Sequence, residues 1–158
     1  MLAADAPAAS LPTRAGEPLA DRLAAQLRAA GADEVRRAAD LDELAVLVDA
    51  ATGPVLVTGA DLVAHTAVLR HLATSPVGPT VALVLTDPPG DGRTAVREER
   101  GQVVEAGPPE TLNGDATGIF GGALRVGGAY GRRRTPRPGA PGRPRSAAPV
   151  LHSRWLAT

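Results

Sequence analysis

Two periods of apolar residues alternate along the first 126 residues, and the alternation predicts helices and strands in turn. Leucines recur at every fourth residue within Glu17–Ala30, which indicates one apolar face of a helix. Val55–Thr58 and Thr80–Thr86 are instead short, unbroken apolar runs, which are typical of strands buried on both faces. The pattern therefore predicts an α/β domain of three layers, with a small, mostly parallel sheet and helices on both faces.

Local signals predict the remaining elements. Asp40, with Glu43 three residues later, is typical of the capping box that begins a helix. The sequence also predicts a short strand over Asp33–Arg37, a helix over Leu62–Ala73, a hairpin of Thr94–Glu98 and Gln102–Glu105, and a glycine-weakened strand over Gly118–Val126.

The composition changes abruptly after Val126. All 17 acidic residues precede this point, whereas the segment from Arg132 onward contains seven arginines and no acid. Residues 127–158 consist mainly of Gly, Pro, Arg, Ala and Ser, and too few of them are apolar to offset chain entropy. We therefore expect a folded domain over residues 1–126 and a disordered, Arg/Pro/Gly-rich tail over residues 127–158.

Three interpretations of this tail remain open. Its charge suits weak binding of a polyanion such as RNA, DNA or anionic lipid. It also suits a linker, and it suits a product of a shifted reading frame in GC-rich DNA, because low-complexity basic composition carries little specificity.

Composition excludes some classes of site. The chain has no Cys, so it forms no disulfide, no thiolate metal site and no Cys nucleophile. No apolar run approaches the ~20 residues of a membrane-spanning helix, and the first residues do not resemble a secretory signal. We expect a cytoplasmic protein without a transmembrane segment.

Asp61 is the main candidate for chemistry in the domain. It follows the apolar strand Val55–Thr58, and α/β sheets bind ligands at the carboxyl ends of their strands. Asp61 therefore suits a metal or substrate ligand, although the spacing alone favours the N-cap of a helix beginning near Leu62. A metal pair with His65, four residues later, is a further alternative to surface or capping roles for these side chains.

The order of motifs resembles a known family. Leu2–Ala4 resembles the opening of a nucleotide-binding loop, and Gly16–Leu19 resembles the segment that leads into the first helix. Val55–Leu62 resembles a strand that ends in a metal-binding Asp, and Val96–Gly107 followed by Gly118–Phe120 resembles a hairpin and a later strand. Together they resemble a sugar-phosphate nucleotidyltransferase (MobA-like NTP transferase) domain with a Rossmann-like fold. The likeness extends to the N-terminal domain of actinobacterial CDP-alcohol phosphatidyltransferase-type proteins.

The resemblance implies a reaction and a set of site residues. In the family, a phosphorylated sugar or alcohol attacks a nucleoside triphosphate and displaces pyrophosphate, with Mg²⁺ between the phosphates. Carried over to this chain, Asp61 binds Mg²⁺, and Arg14 is the catalytic residue that contacts the triphosphate. Backbone groups of Leu2, Ala3 and Ala4 then face the nucleotide.

The chain departs from the family pattern at the loop. It has no glycine between Leu2 and Gly16, and Glu17 stands where the family has a Lys. We therefore expect a truncated, degenerate nucleotidyltransferase-like domain of phospholipid or phospho-alcohol metabolism, which binds a nucleotide with little or no activity. The alternative is a non-catalytic interaction scaffold with a basic, polyanion-binding tail.

Overall fold

Strands and helices alternate through the described part of a computed structural model, which comprises residues 2–4, 7–76, 78, 80–90, 92–127 and 148–152. The elements are β1 (Leu2–Ala4), α1 (Leu19–Ala29), β2 (Arg36–Ala38), α2 (Leu41–Ala50), β3 (Val55–Gly59), α3 (Thr66–Thr74), β4 (Thr80–Leu85), β5 (Ala95–Glu99), β6 (Gln102–Gly107), β7 (Gly118–Val126) and β8 (Ala148–His152). Single 3₁₀ turns form at Pro7–Ser10 and Pro109–Thr111.

One sheet contains all of the described strands, in the order β2-β1-β3-β7-β4-β8-β6-β5. β1 pairs in parallel with β2 and β3, and β4 pairs in parallel with β8. The pairings β3–β7, β4–β7, β5–β6, β5–β7 and β6–β8 are antiparallel. The α/β class is thus observed, whereas the predicted mostly parallel sheet is not confirmed. The reason is β7, which returns from the hairpin and lies antiparallel between β3 and β4.

Glycines allow β7 to occupy this central position. The register of the β4–β7 pair shifts between Ala82 and Val84, where β7 carries extra residues. A Cβ at Gly121 would lie 2.7 Å from Cγ of Leu83, and Gly122 has a φ of +77°. These glycines let β7 pack closely against β4, and β7 passes from pairing with β3 to pairing with β5.

The main core lies between the sheet and the helices α1 and α3. Leu23 and Leu27 of α1 pack in one cluster with Leu69 of α3, and all three are essentially inaccessible to solvent. Leu56 of β3 and Leu62, from the loop after β3, pack against the same cluster. This side of the domain is the better covered one, and it fixes the position of the loop that carries Asp61.

Helix α2 covers β1 and β2 without burying any residue completely. β2 and β3 lie on opposite sides of β1 in the sheet. Leu41 and Val46 of α2 remain exposed. The predicted capping box forms: Oδ1 of Asp40 accepts from the Glu43 N–H at 2.8 Å, and Oε2 of Glu43 accepts from the Ala39 N–H at 2.7 Å.

Two predicted elements differ from the structure. Helix α3 begins at Thr66 rather than near Leu62, because the chain makes a turn and an extended segment between β3 and the helix. β8 lies within the predicted tail, where its backbone pairs with β4 and β6, and the sequence did not predict this strand. The sequence Ala148–His152 is the most apolar part of that segment. The predicted disorder of residues 128–147 and 153–158 lies outside the described residues.

Candidate functional site

The carboxyl ends of three parallel strands meet at one edge of the sheet. Ala4, the last residue of β1, pairs in register with Ala38 of β2 on one side and Gly59 of β3 on the other. Each strand continues from this edge into a loop that leads toward a helix. This is the position at which α/β sheets bind ligands, because the loops and the helix N-termini converge there.

A cleft of about 500 Å³ opens at this edge. Small apolar residues form most of its wall, and its polar members come from the N-terminal ends of α1 and α2, from β2 and from the 3₁₀ turn. The lining residues are Ala9, Ser10, Pro18, Ala20, Asp21, Arg37, Ala38, Ala39, Glu43 and Ala60. A mostly apolar wall with a few polar groups is typical of a small-molecule site.

The charged groups of the cleft are held in different ways. Glu43 is fixed by the capping box, since its carboxylate accepts from the Ala39 N–H. Asp21 of α1 instead forms an ion pair with Arg37 of β2, and both side chains are more than half exposed. An ion pair at such exposure contributes little stability and exchanges readily. The pair therefore bridges α1 and β2 without being locked in place.

Asp61 lies beside this cleft, one residue after the buried Ala60. Its Oδ1 would be 2.9 Å from a Cβ at position 59, so the carboxylate folds back over Gly59 at the end of β3. Asp61 is exposed and is not the N-cap of α3, because that helix begins five residues later. The capping interpretation of Asp61 is therefore wrong, because its carboxylate does not cap the N-terminus of α3.

His65 takes the capping role instead. Its Nδ1 accepts from the N–H of Ala67 at 3.2 Å, in the position of an N-cap side chain. Because Nδ1 of His65 accepts this hydrogen bond, it is not available to bind a metal ion together with Asp61. No group of three or more His, Asp or Glu side chains is placed to hold a metal ion in the described part of the chain.

Asp61 nevertheless suits Mg²⁺ if a phosphorylated ligand supplies further oxygen atoms to the ion. The ion prefers oxygen ligands, and protein sites commonly supply one or two carboxylates while substrate phosphates and water complete the shell. Asp61 supplies one exposed carboxylate at the correct edge. The residues present therefore fit Mg²⁺ as an ion that arrives with a phosphorylated ligand, and not as a resident ion in a protein cage.

The structure places Arg14 outside the lining of this cleft. Arg14 lies in a turn closed by a hydrogen bond from the Gly16 N–H to the Thr13 carbonyl, at 2.9 Å, and its side chain is exposed. The turn connects Pro12 to Pro18, which form an antiparallel bridge before α1. The structure thus brings Asp61 to the edge of the cleft, whereas it places Arg14 on a projecting turn.

The backbone groups of Leu2 and Ala3 lie within the sheet. Leu2, Ala3 and Ala4 form β1, which pairs with β2 on one side and with β3 on the other. Only Ala4 ends at the carboxyl edge, beside the cleft. Of the three residues, only Ala4 is therefore placed for a backbone contact with a ligand at this edge.

The sequence alone does not indicate that Asp21, Arg37 and Glu43 line one cleft. Glu43 appeared only as a capping residue, and nothing in the sequence joins Asp21 to Arg37, which lies 16 residues later. Thr58 is a further polar residue that was missed. It is buried at the end of β3, and its Oγ1 has no hydrogen-bond partner among the described residues.

A larger cleft, of about 660 Å³, lies at the opposite edge of the sheet, near the start of β3. Arg125 reaches it from β7, but its Nη1 donates to the carbonyls of Ser75 and Gly78 at 3.0 and 2.9 Å. These bonds tie the loop after α3 to the end of β7. This cleft lies away from the carboxyl ends of the strands and from Asp61.

The fold of this chain is similar to that of solved structures. The chain is similar to the inositol-1-phosphate CTP transferase from T. maritima, with a TM-score of 0.57 and 9% sequence identity over 80% of this chain and 69% of that chain. The chain has a nucleotidyltransferase-like fold. No protein-family model matches it, and no curated protein matches its sequence.

This likeness confirms the coarser part of the predicted resemblance. The fold is of the nucleotidyltransferase type, whereas the MobA-like assignment and the link to actinobacterial CDP-alcohol phosphatidyltransferase-type proteins remain predictions. No helix in the described residues has the length and apolarity that crossing a membrane requires.

Proposed function

We propose that this chain is a nucleotidyltransferase-like domain that binds a nucleoside triphosphate together with Mg²⁺ in the cleft beside Asp61. The second substrate is a phosphorylated sugar or alcohol. The observation that carries the proposal is the position of Asp61, an exposed carboxylate with no capping role at the end of β3. The nucleotidyltransferase-like fold supports it, as does the similar protein's description as a CTP transferase.

The cleft suits the nucleoside part of such a ligand. Five of its lining residues are alanines, which leave room for a flat ring against the wall. Polar groups at Ser10, Arg37 and Glu43 are few and lie at different sides of the opening, as expected of a site that orients one small molecule. The N-terminal ends of α1 and α2 both face the cleft, and helix N-termini favour anionic groups.

Asp61 would hold Mg²⁺ together with phosphate oxygens of the nucleotide. The ion, when bound, neutralises charge that develops on the phosphates during displacement of pyrophosphate. The task of this chain is positioning: the end of β3 sets the carboxylate, and the alanine wall sets the nucleoside. Arg14, on its exposed turn, can meet the triphosphate only at the outer side of the site.

We further propose that transfer is slow or absent, and that the domain belongs to phospholipid or phospho-alcohol metabolism. A single carboxylate is a weak Mg²⁺ site, and Asp21 adds negative charge to the lining of the cleft. Such a domain retains nucleotide binding more easily than rapid catalysis, because catalysis requires the transition state to be bound more tightly than the substrate.

The test is an assay of pyrophosphate release by the full chain, with CTP, ATP, GTP or UTP and inositol 1-phosphate or glycerol 3-phosphate. We expect slow, Mg²⁺-dependent release with one nucleotide, and its loss in Asp61→Asn. Asp49→Asn is the matched control, because Asp49 is an exposed acid at the far end of α2. Mg²⁺-dependent release that is equal in wild type and Asp61→Asn would contradict the assignment of Asp61.

The alternative is a non-catalytic scaffold whose basic tail binds polyanions. The seven arginines from Arg132 onward favour it, since such a segment neutralises phosphates without sequence preference. Under this alternative, replacing Arg132, Arg133 and Arg134 by Gln weakens binding to heparin or RNA and reduces its salt dependence. A nucleotide site in the cleft would be unaffected by the same change.

A further inference from the structure

The cleft contains one cationic side chain among its described lining residues, that of Arg37. Arg37 is the second residue of β2 and pairs in register with Ala3 of β1, one position before the carboxyl edge. Its guanidinium reaches Asp21 in the first turn of α1. The ion pair therefore spans the gap between the sheet and α1 at the opening of the cleft.

The neighbouring residue provides an internal comparison. Arg36 precedes Arg37 in the same strand, and alternate residues of a strand point to opposite faces of the sheet. Arg36 accordingly pairs with Glu34 and lines the other, larger cleft. Two adjacent arginines with similar exposure thus form two similar ion pairs, of which only the Arg37 pair faces the carboxyl edge.

The Asp21–Arg37 pair has the properties of an exchangeable contact. Side-chain exposures are 56% for Asp21 and 55% for Arg37, so water competes with the pair and salt screens it. Asp21 has a second favourable interaction, because an acid in the first turn of α1 complements the helix dipole. Arg37 can therefore leave Asp21 at low cost when a more strongly charged partner enters the cleft.

We infer that Arg37 is the residue of this cleft that binds a phosphate group of the ligand, and that Asp21 is the counter-ion that the phosphate displaces. A planar guanidinium matches phosphate oxygens in a bidentate manner, and such contacts are stronger than those of a single point charge. The inference deepens the proposed function and rests on it. It assigns to Arg37 the phosphate contact that the sequence suggested for Arg14.

The two halves of the ion pair then predict opposite effects on binding. Replacing Arg37 removes the contact, whereas replacing Asp21 by Asn removes the competing charge and leaves Arg37 free for the ligand. A pair that serves only to join α1 to β2 would give no such opposition, because either change would break the same link.

The experiment measures binding of Mg²⁺–CTP and of inorganic pyrophosphate to the full chain by isothermal titration calorimetry. Arg37→Met should weaken both by roughly tenfold or more, the usual effect of losing one charge-assisted hydrogen bond. Asp21→Asn should bind both at least as tightly as wild type. Arg36→Met, the matched control, should leave both affinities unchanged. Arg37→Lys keeps the charge but loses the bidentate geometry, so it should fall between wild type and Arg37→Met.

The outcomes separate this inference from the proposed function. Wild-type affinity in Arg37→Met, or equal weakening in Arg37→Met and Asp21→Asn, would overturn the role of Arg37 while nucleotide binding itself stands. If Arg37→Met does not fold, wild-type affinity in Arg37→Lys overturns the bidentate contact in the same way. If the wild-type chain binds neither probe, the proposed function fails and the role of Arg37 fails with it.

Discussion

The two ends of the sheet hold their charged groups in contrasting ways. At the hairpin end, Glu105 of β6 accepts from the backbone N–H of Asn113 at 3.0 Å, from its Nδ2 at 2.7 Å and from Nε of Arg97 at 3.2 Å. Arg97 also pairs with Glu99. At the cleft end, Asp61 is exposed and Asp21 has one exposed ionic partner.

This difference separates structural charges from charges that remain accessible to a ligand. The Asn113 backbone hydrogen bond, with the Arg97 contact and the Asn113 side chain, lowers the pKa of Glu105, and both Glu105 and Glu99 raise the pKa of Arg97. These groups bind the loop after β6 to the hairpin. Apart from Glu43, which closes the capping box, the charged side chains at the cleft join few elements and remain accessible to a ligand.

The largest effect is expected where one strand joins the two regions. β7 pairs with β3 beside the cleft and with β5 of the hairpin. In Gly121→Ala the new Cβ would lie 2.7 Å from Cγ of Leu83, so we expect a loss of roughly 1–3 kcal/mol in the free energy of unfolding. Chemical denaturation measures it. Gly53→Ala is the control, because its Cβ would meet nothing within 4 Å. Equal stability of the two variants would contradict the close packing of Gly121 against Leu83.

The Glu105 cluster should give the next largest effect, and a dependence on pH. Because folding lowers the pKa of Glu105, its contribution to stability is complete above its unfolded pKa of about 4.3. This contribution is lost as the pH falls through the lower, folded pKa. We expect Glu105→Gln to melt below wild type at pH 7 and the difference to shrink toward pH 3.

An exposed acid of the same loop provides the control for that prediction. Glu110→Gln should melt as wild type does at both pH values, because Glu110 is exposed and, unlike Glu105, forms no hydrogen bond or ion pair with the described residues. A Glu105→Gln difference that is the same at pH 7 and pH 3 would show that the carboxylate charge has no part in holding the loop.

The capping residue of α2 should have a smaller effect. Asp40 accepts from the Glu43 N–H and begins the helix, so Asp40→Ala should cost about 1 kcal/mol in the free energy of unfolding. Asp40→Asn keeps an acceptor at the same position and should cost less. Denaturant midpoints of the two variants measure the difference. A wild-type midpoint for Asp40→Ala would show that the Asp40 cap does not stabilise the domain.

The smallest effect on stability is expected at Asp61. Both Asp40 and Asp61 follow a strand and precede a helix in the sequence, but only Asp40 caps its helix. Asp61→Ala should therefore change the free energy of unfolding by less than about 0.5 kcal/mol, as an exposed residue without a fixed partner does. A loss of unfolding free energy comparable with that of Asp40→Ala would show that Asp61 has a structural role.

Much of the fold was predictable from local signals. The leucine period of α1, the capping box of α2 and the apolar runs of β3 and β4 each correspond to an observed element. The hairpin was predicted from its sequence, and its turn has positive φ at Arg100 and Gly101, as a two-residue hairpin turn requires.

The direction of β7 and the pairing of β8 could not be predicted in the same way. The apolar pattern of a strand does not indicate whether its neighbours run parallel or antiparallel to it. The positions of β7 and β8 also depend on pairing between residues that are distant in the sequence. The start of α3 was misplaced because the extended segment Leu62–Ala64 continues the apolar pattern of the helix and packs into the core without being helical.

The site was predictable only in part, for a related reason. Asp61 follows directly from its position after a buried strand. Arg37 and Asp21 come together only through the parallel pairing of β1 with β2 and the packing of α1, which a linear pattern does not contain. Arg14 was suggested by the resemblance to the nucleotidyltransferase family, whereas the structure places it on an exposed turn outside the lining of the cleft.

The most direct test of the account is a thermal-shift titration of the full chain with CTP, ATP, GTP and UTP, each with and without Mg²⁺. A ligand that binds only the folded state raises its apparent stability. The account predicts a Mg²⁺-dependent rise in melting temperature with at least one nucleotide, and its loss in Asp61→Asn. A chain that melts cooperatively with no shift for any nucleotide would contradict a nucleotide site at this cleft.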